Sequence, residues 1–598
     1  MSPHLAARLS PPSASSLSDN ARLPTDAELV RSIGQWISAK ASASLDTPSV
    51  AFVETAGGPH SPSPTGTSQV HLLRPLRLPT ILIGDSNLGG ISTTRSAYES
   101  LVIAGHKIDA VLLFNDDKWG NAEYLIEWGK EMNVPVYSLA GVSSLRDNAW
   151  GGPPPRAASL AQDEANMRHF YRGLLFGKHR LDPETPSTPQ SGVVDVVREL
   201  RRAHHERIAE LETYAQRTRD SCWWPTTQHT LAKCNADVTV IDSAYKDFFS
   251  TFDAASRANA PPLSSSSLLV PMLDGSASWW TQALGHSHPR LALVAAEAAG
   301  RYGHVLFPMA ANEPALKLAE GLLGRLPEQQ CRRHDTQFSS DHVFPAPGAG
   351  WADRVFYSDD GSTGMEVALK MAIAAAKACY SPDALTPESS ARTSKGRKAR
   401  TMDSRVDRGW KILGVKGSYH GDTIGAMDAS EPSVYSNMVP WYRGRGAWID
   451  PPEVGIIAGQ PTVRLPSKSA DSEFSEHLRS STGPTYEYGS IDEIYNVEAR
   501  ITAGDPLHNV YRNVVRKWLD RVVRQESNRF GALLLEPMVL GAAGMVFVDP
   551  LFQRTLIDVV RDSGDLFALS DPPFKDAHSV PSIQKRSGWK GLPVIFDE

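Results

Sequence analysis

The chain has 598 residues, of which 41% are hydrophobic and 21% charged, with a formal net charge of −6. At roughly 100–200 residues per domain this is ordinary globular material for three or four domains. The charge gives no drive toward nucleic acid or an acidic membrane surface, and no run approaches the roughly 18 apolar residues of a membrane helix.

Four cysteines (Cys222, Cys234, Cys331 and Cys379) stand at no metal-ligand spacing, and so few in so long a chain point to a reducing compartment. The first 18 residues are serine-rich and hold no acid. That composition fits a transit peptide or a loop from inside a domain. The loop is preferred, because Ser2-Pro3-His4 fits an ordered motif set in the segment that follows.

Residues 1–145 alternate apolar runs at 50–53, 80–83, 110–114 and 134–137 with helical patterns at 93–104 and 122–132. That order predicts a parallel sheet with crossover helices. Residues 146–220 read as a connector, with proline and glycine at both ends of 146–192 and one amphipathic helix over 193–217. A second module starts near Cys222 and runs to Glu598, with strands at 355–357, 412–415 and 592–596 and a helix at 365–378. The polar stretches 382–408 and 461–484 are predicted surface insertions.

In the first module, Val53-Glu54-Thr55-Ala56-Gly57-Gly58 follows an apolar run. A carboxylate there would lie at the ligand edge of an open α/β sheet, with glycines that let backbone amides approach an anion. An acidic strand end before a tight turn explains the same residues. Asn115 closes the run at 110–114; its amide suits an adenine edge, or serves as a turn former. No G-x-x-x-x-G-K-[S/T] occurs anywhere; the glycine cluster from Gly84 to Gly90 lacks the lysine.

This ordered set, from Ser2-Pro3-His4 through Arg74-Pro75-Leu76 to about Gly141, resembles the dethiobiotin synthetases. The resemblance implies a P-loop-type α/β domain that closes a ureido ring from a diamine, carbon dioxide and ATP. It places Glu54 on magnesium, Asn115 on adenine, and Gly57 and Gly58 beside substrate and phosphates. The family's first strand, its P-loop and its next strand are expected to precede Ser2.

In the second module, Asp360-Gly361-Ser362-Thr363 opens a helix, where free amides and the helix dipole suit a phosphate. A plain helix cap is the commoner explanation. Gly417-Ser418-Tyr419-His420-Gly421-Asp422-Thr423 follows the strand at 412–415, and its tyrosine can stack on a flat heterocycle. Asp597 closes the last strand, and a carboxylate there could keep a pyridine nitrogen protonated. Phosphate cup, stacking ring and acid are individually weak signals; their order is specific.

The set resembles the class III aminotransferases of fold type I, and more closely the adenosylmethionine-8-amino-7-oxononanoate aminotransferases. Trp223-Trp224-Pro225, Asp274-Gly275-Ser276-Ala277-Ser278-Trp279-Trp280, Gly285-His286-Ser287-His288-Pro289, Gly303-His304-Val305 and Glu536-Pro537 carry the likeness. By that resemblance Gly361 and Ser362 hold the phosphate of pyridoxal phosphate and Tyr419 stacks on its ring. Asp597 pairs with the ring nitrogen, Glu536 lies near the ring hydroxyl, and Trp279 and Asp422 contact substrate. Core packing explains Trp279 and Trp280 equally well. Thr226 stands where the family usually has an aromatic. The Schiff-base lysine and the carboxylate-binding arginine are expected beyond Asp597.

Fusions of these two modules occur in eukaryotic biotin synthesis. The reading is therefore an α/β chain in which an incomplete P-loop-type parallel-sheet domain (1–145), the connector (146–220) and an incomplete fold type I domain (221–598) follow in order. By resemblance it is a homodimer in mitochondria. It acts on 8-amino-7-oxononanoate, S-adenosylmethionine, 7,8-diaminononanoate and ATP with Mg2+, with no nucleic acid or membrane partner. Two alternatives stand: another class III aminotransferase fused to an unrelated α/β domain, against which the Trp279 stretch and the Glu54 motif speak, and a non-catalytic assembly partner.

Overall fold

Thr80–Ile83 (β1), Ile108–Phe114 (β2) and Val136–Leu139 (β3) form a parallel sheet in that order, with Ile83 opposite Leu112 and Val111 opposite Val136. Gly90–Ile103 (α2) and Asn121–Glu131 (α3) are the crossovers that parallel pairing demands. Leu82, Tyr98, Val111, Leu113, Leu125 and Trp128 bury one core between sheet and helices. Tyr98 and Trp128 meet edge to face at 4.9 Å between ring centroids. The computed structural model describes residues 23–43, 50–114, 119–140, 157–177, 191–224, 227, 229–253, 269–279, 281–326, 346–380, 409–434, 436–466, 473–474, 484–525, 529–568 and 590–597.

Two compact units divide the chain, Met1–Leu316 and Lys317–Glu598. The first also holds two helices that the sequence reading passed over, Asp26–Ala43 (α1) and Ala157–Phe176 (α4). The expected amphipathic helix is present as Val193–Ser221 (α5). Its Leu211 and Ala215 pack on an antiparallel sheet of Val240–Tyr245 (β4), Phe248–Phe252 (β5) and Leu269–Leu273 (β6), against Val240 and Phe252. Asp242 in β4 receives Arg207 from α5 at 2.8 Å and Arg77 at 3.3 Å. Burial disfavours its charge, but the two guanidinium groups outweigh that and hold the carboxyl below its ordinary range.

In the second unit Val594–Phe596 (β13), Phe530–Leu535 (β12), Lys411–Val415 (β7) and Gly446–Ile449 (β8) form a four-stranded sheet in that order, every pair parallel. All six residues of β12 are buried, which its unbroken apolar run requires of a strand covered on both faces. Gly361–Tyr380 (α6) lies against β12 and buries Met365, Leu369 and Ala372. Pro506–Asp520 (α7) and Pro550–Asp562 (α8) pack together around Tyr511, Trp518 and Phe552.

Three local expectations fail. Residues 50–53 are not a strand: among the described residues they join no ladder, and Val50 and Phe52 are 62% and 65% exposed. Residues 355–357 likewise stay outside any ladder, with Phe356 exposed. An apolar run becomes a strand only where a neighbour pairs its backbone. Conversely, the start of the expected insertion at 461–484 is the strand Gln460–Arg464 (β10), paired with Glu453–Ile457 (β9) on one side and Thr485–Glu487 (β11) on the other. The stretch 382–408 lies outside the described residues.

Candidate functional site

The carboxyl ends of β7, β12 and β13 each deliver one chemically useful residue to the same edge of the sheet. Glu536 directly follows β12, Asp597 directly follows β13, and the loop after β7 carries Tyr419, His420 and Asp422. Parallel pairing aligns those ends, so residues far apart in sequence converge there.

Glu536 is buried, and both of its carboxylate oxygens are engaged. Oε1 accepts the Tyr419 backbone N–H at 2.8 Å and Oε2 accepts the Gly541 N–H at 2.9 Å. Burial pushes its pKa up, the two N–H groups oppose that, and the nearby Asp597 charge adds to it. His420 is buried too, and its Nδ1 lies 2.8 Å from Asp597 Oδ2. Its Nε2 is buried with no hydrogen-bond partner. A single histidine therefore ties the Tyr419 loop to the acid at the end of β13.

The start of α6 is joined to the same loop. Asp360 caps the helix: its Oδ1 accepts the Thr363 N–H at 2.9 Å. Ser362 Oγ accepts the Asp422 N–H at 3.1 Å. Glu366, one turn on, accepts the Gly425 N–H at 3.0 Å and the Lys370 ammonium at 3.0 Å. The loop approaches the helix so closely that a Cβ on Gly421 would stand 2.2 Å from Ser362 Oγ, and Gly421 has a φ of +118°. Only glycine fits there without displacement. By contrast, a Cβ on Gly361 would meet nothing within 4 Å, so the helix N-terminus is open.

Ser362, Tyr419, Asp422, Glu536 and Asp597 are thus joined by hydrogen bonds through one loop, with Gly361 beside Ser362 at the helix start. His420 and Glu366 also belong to it, and neither was singled out from the sequence. The readable signal for His420 was its place beside Tyr419 in a loop opposite a terminal strand acid. For a pyridoxal-phosphate-sized group the donor set fits. There is an open helix N-terminus for an anion, a half-buried tyrosine ring, and a carboxylate held by a buried imidazole. Beside it, Ser418, Tyr419, Asp422, Ser430, Glu431 and Ser436 line a small recess.

Trp279 lies in the first unit, in a turn after β6, and is 68% exposed rather than packed in a core. Glu54, Gly57 and Gly58 lie in an exposed stretch without regular structure, and Asn115 lies outside the described residues. The glycine cluster at the N-terminus of α2 is knit into itself. Asp85 Oδ1 accepts the Asn87 N–H at 3.0 Å, and Asn121 donates to the Asp85 and Asn87 carbonyls at 3.1 and 2.8 Å. No group of three or more histidine, cysteine or acidic side chains arranged for a metal occurs among the described residues.

Residues 270–445 match the family model of the class III aminotransferases. A bifunctional dethiobiotin synthetase/adenosylmethionine-8-amino-7-oxononanoate aminotransferase of Emericella nidulans is 39% identical over 599 residues, covering 100% of this chain and 64% of that protein. Two proteins named bifunctional dethiobiotin synthetase/7,8-diamino-pelargonic acid aminotransferase, mitochondrial, are also similar. The one from Oryza sativa subsp. japonica is 33% identical over 84% of this chain and 51% of its own length. The one from Arabidopsis thaliana is 36% identical over 86% of this chain and 51% of its own length. The chain therefore spans between half and two thirds of the length of these relatives.

Proposed function

We propose, for a chain related along its whole length to the bifunctional biotin-synthesis enzymes and carrying their class III aminotransferase segment, that its second unit holds pyridoxal phosphate for amino transfer to 8-amino-7-oxononanoate. The observation that carries this reading is the joining of the Tyr419 loop to the acid after β13 through His420, and to the start of α6 through Ser362. S-adenosylmethionine is the proposed amino donor and 7,8-diaminononanoate the product.

Each residue has a physical task in this reading. The N–H groups of Gly361 and Ser362, in the first turn of α6, would hold the phosphate, where the helix dipole favours negative charge. Ser362 Oγ already accepts from Asp422, which leaves its own hydroxyl hydrogen to donate. Tyr419 would stack on the cofactor ring. Asp597, oriented by His420, would keep the ring nitrogen protonated, and Glu536 holds the Tyr419 backbone N–H. When bound, the cofactor supplies an electron sink for the carbon that gains or loses the amino group. Asp422 and Trp279 are assigned to substrate.

For the first segment we propose ATP-dependent dethiobiotin synthesis with Mg2+, assigning Glu54 to the metal, Gly57 and Gly58 to phosphates and substrate, and Asn115 to adenine. The functional segments proposed are 1–145, 146–220 and 221–598. Dimerisation and a mitochondrial location rest on kinship alone; the two plant relatives carry that location in their names.

Saturation-transfer NMR on the full chain with pyridoxal phosphate present tests the substrate. Contact with 8-amino-7-oxononanoate that weakens in Trp279→Ala, with none for ornithine or β-alanine, is the expected result. The reverse pattern would favour another class III aminotransferase.

A further inference from the structure

Between Gly417 and Gly425, four backbone N–H groups donate to side chains from other parts of the second unit. Tyr419 donates to Glu536, Asp422 to Ser362 and Gly425 to Glu366. The fourth bond lies at the entry to the loop, where the Gly417 N–H donates to Glu431 Oε1 at 2.7 Å. Backbone N–H groups outside helix and ladder need such acceptors, and a carboxylate is the strongest side chain for the task. The entry is also tightly packed: Gly417 has a φ of +81°, and a Cβ on it would stand 3.3 Å from Ala543 Cβ. Glu431 reaches back to Gly417 from a braced segment. The carbonyl of its neighbour Ser430 accepts the Tyr442 hydroxyl at 2.8 Å. Asp428 accepts the Arg443 N–H at 2.7 Å and the Arg445 guanidinium at 2.8 Å. Glu431 further lines the recess beside Tyr419, with Ser418, Ser430 and Ser436. Its side chain therefore both fills space next to Tyr419 and holds the first amide of the loop.

We propose that Glu431 is a positioning residue for the Tyr419 loop: it fixes Gly417 while Glu536 fixes Tyr419, so that two carboxylates from separate segments set the backbone from which the tyrosine ring projects. The link to the cofactor rests on the pyridoxal-phosphate reading of this site; the clamp itself does not. Two anchored amides two positions apart leave the intervening backbone little freedom, which is what a ring that must meet a flat ligand at one angle requires. A carboxylate suits the place because it accepts without donating, and the group it meets is an N–H.

The test uses the full chain labelled with 3-fluorotyrosine. The Tyr419 19F signal is identified among the 16 tyrosines by its loss in Tyr419→Phe. Glu431→Ala removes the acceptor and opens the recess. Glu431→Met fills the recess but offers the Gly417 N–H no oxygen, and it serves alone if the alanine variant folds poorly. Glu431→Gln keeps an oxygen acceptor. In the alanine and methionine variants the Tyr419 signal should move and sharpen, while the Tyr511 signal, held by Asp549, stays in place. Glutamine should leave the Tyr419 signal near its original position. Titration with pyridoxal phosphate should give a Kd about tenfold higher in the alanine and methionine variants and within about threefold of the unaltered chain in the glutamine variant. The visible circular dichroism of the bound cofactor should weaken in the first two and persist in the third. A Tyr419 signal that stays the same in Glu431→Met would overturn the clamp, because filling the recess would then suffice. A signal that responds while cofactor affinity and dichroism do not would overturn the link to the cofactor. No binding of pyridoxal phosphate by the unaltered chain would overturn the cofactor reading itself, and the fluorine signal would still decide the clamp.

Discussion

His420 and Asp597 are 177 positions apart, yet His420 Nδ1 lies 2.8 Å from Asp597 Oδ2. The imidazole is fully buried, whereas the carboxylate keeps some exposure, so the histidine is the fixed partner and the acid the oriented one. Replacing His420 by alanine should lower the affinity for pyridoxal phosphate by about tenfold, the usual effect of losing one charge-assisted hydrogen bond. Asparagine at the same place can donate in its stead and should recover part of the loss. Absorbance titration with the cofactor reads both, and unchanged far-ultraviolet circular dichroism checks the fold.

Glu536 gives a pH dependence with a definite sign. Burial raises its pKa in the folded chain, so the folded state binds a proton more readily than the unfolded state does. Its contribution is most favourable at low pH. It declines as pH rises from the unfolded value of about 4.3 toward the raised folded one. Urea unfolding across pH 4–7 should show stability of the unaltered chain falling relative to Glu536→Gln over that window. The raised Glu431 carboxyl is common to both proteins and cancels. A flat difference would contradict the assignment.

Gly421 should tolerate no side chain. In Gly421→Ala the new methyl group would meet Ser362 Oγ, and the φ of +118° would also be strained. Loop and helix must separate, and cofactor affinity should fall by about tenfold or more. Adding Ser362→Gly removes the contacts with its Oγ and Cβ but leaves its Cα at 2.8 Å and the strain, so the double variant should recover at most a small part of the affinity. Non-additivity of this kind marks residues in contact.

Stability of the second unit should depend on Arg500. Its guanidinium meets both oxygens of the buried Asp549 at 2.6 and 3.0 Å and Asp505 at 2.7 Å, and Tyr511 donates to Asp549 at 2.7 Å. Asp549 also caps α8 through the Leu551 N–H. Arg500→Met strands a buried carboxylate and should cost about 3–5 kcal/mol in denaturant unfolding. Tyr511→Phe removes one donor and should cost about 1–3 kcal/mol.

Where local chemistry decides, the sequence was readable. Thr80–Ile83 and Gly361–Tyr380 follow from an unbroken apolar run and from helical spacing after a capping aspartate. Residues 50–53 and 355–357 show the limit: both look like strands, but strand formation requires a partner that periodicity cannot name. The helix Asp26–Ala43 was missed although Leu29, Val30, Ile33, Trp36 and Ile37 recur at helical spacing, only Trp36 of them exposed, and Thr25 and Glu28 form a capping pair. His420 and Glu366 escaped because their roles exist only across contacts 177 and 59 residues apart. Arg500 is invisible for the same reason, since a lone arginine in a helical stretch usually faces solvent.

Isothermal titration of the full chain with pyridoxal phosphate, and with pyridoxal lacking the phosphate, tests the central claim most directly. The account expects saturable binding of pyridoxal phosphate in the micromolar range or tighter, and about a hundredfold weaker binding without the phosphate. Asp597→Asn and Tyr419→Ala should each weaken binding by about tenfold. Equal affinity for the two ligands, or no loss in both variants, would contradict the assignment of Gly361, Ser362, Tyr419 and Asp597 to the cofactor.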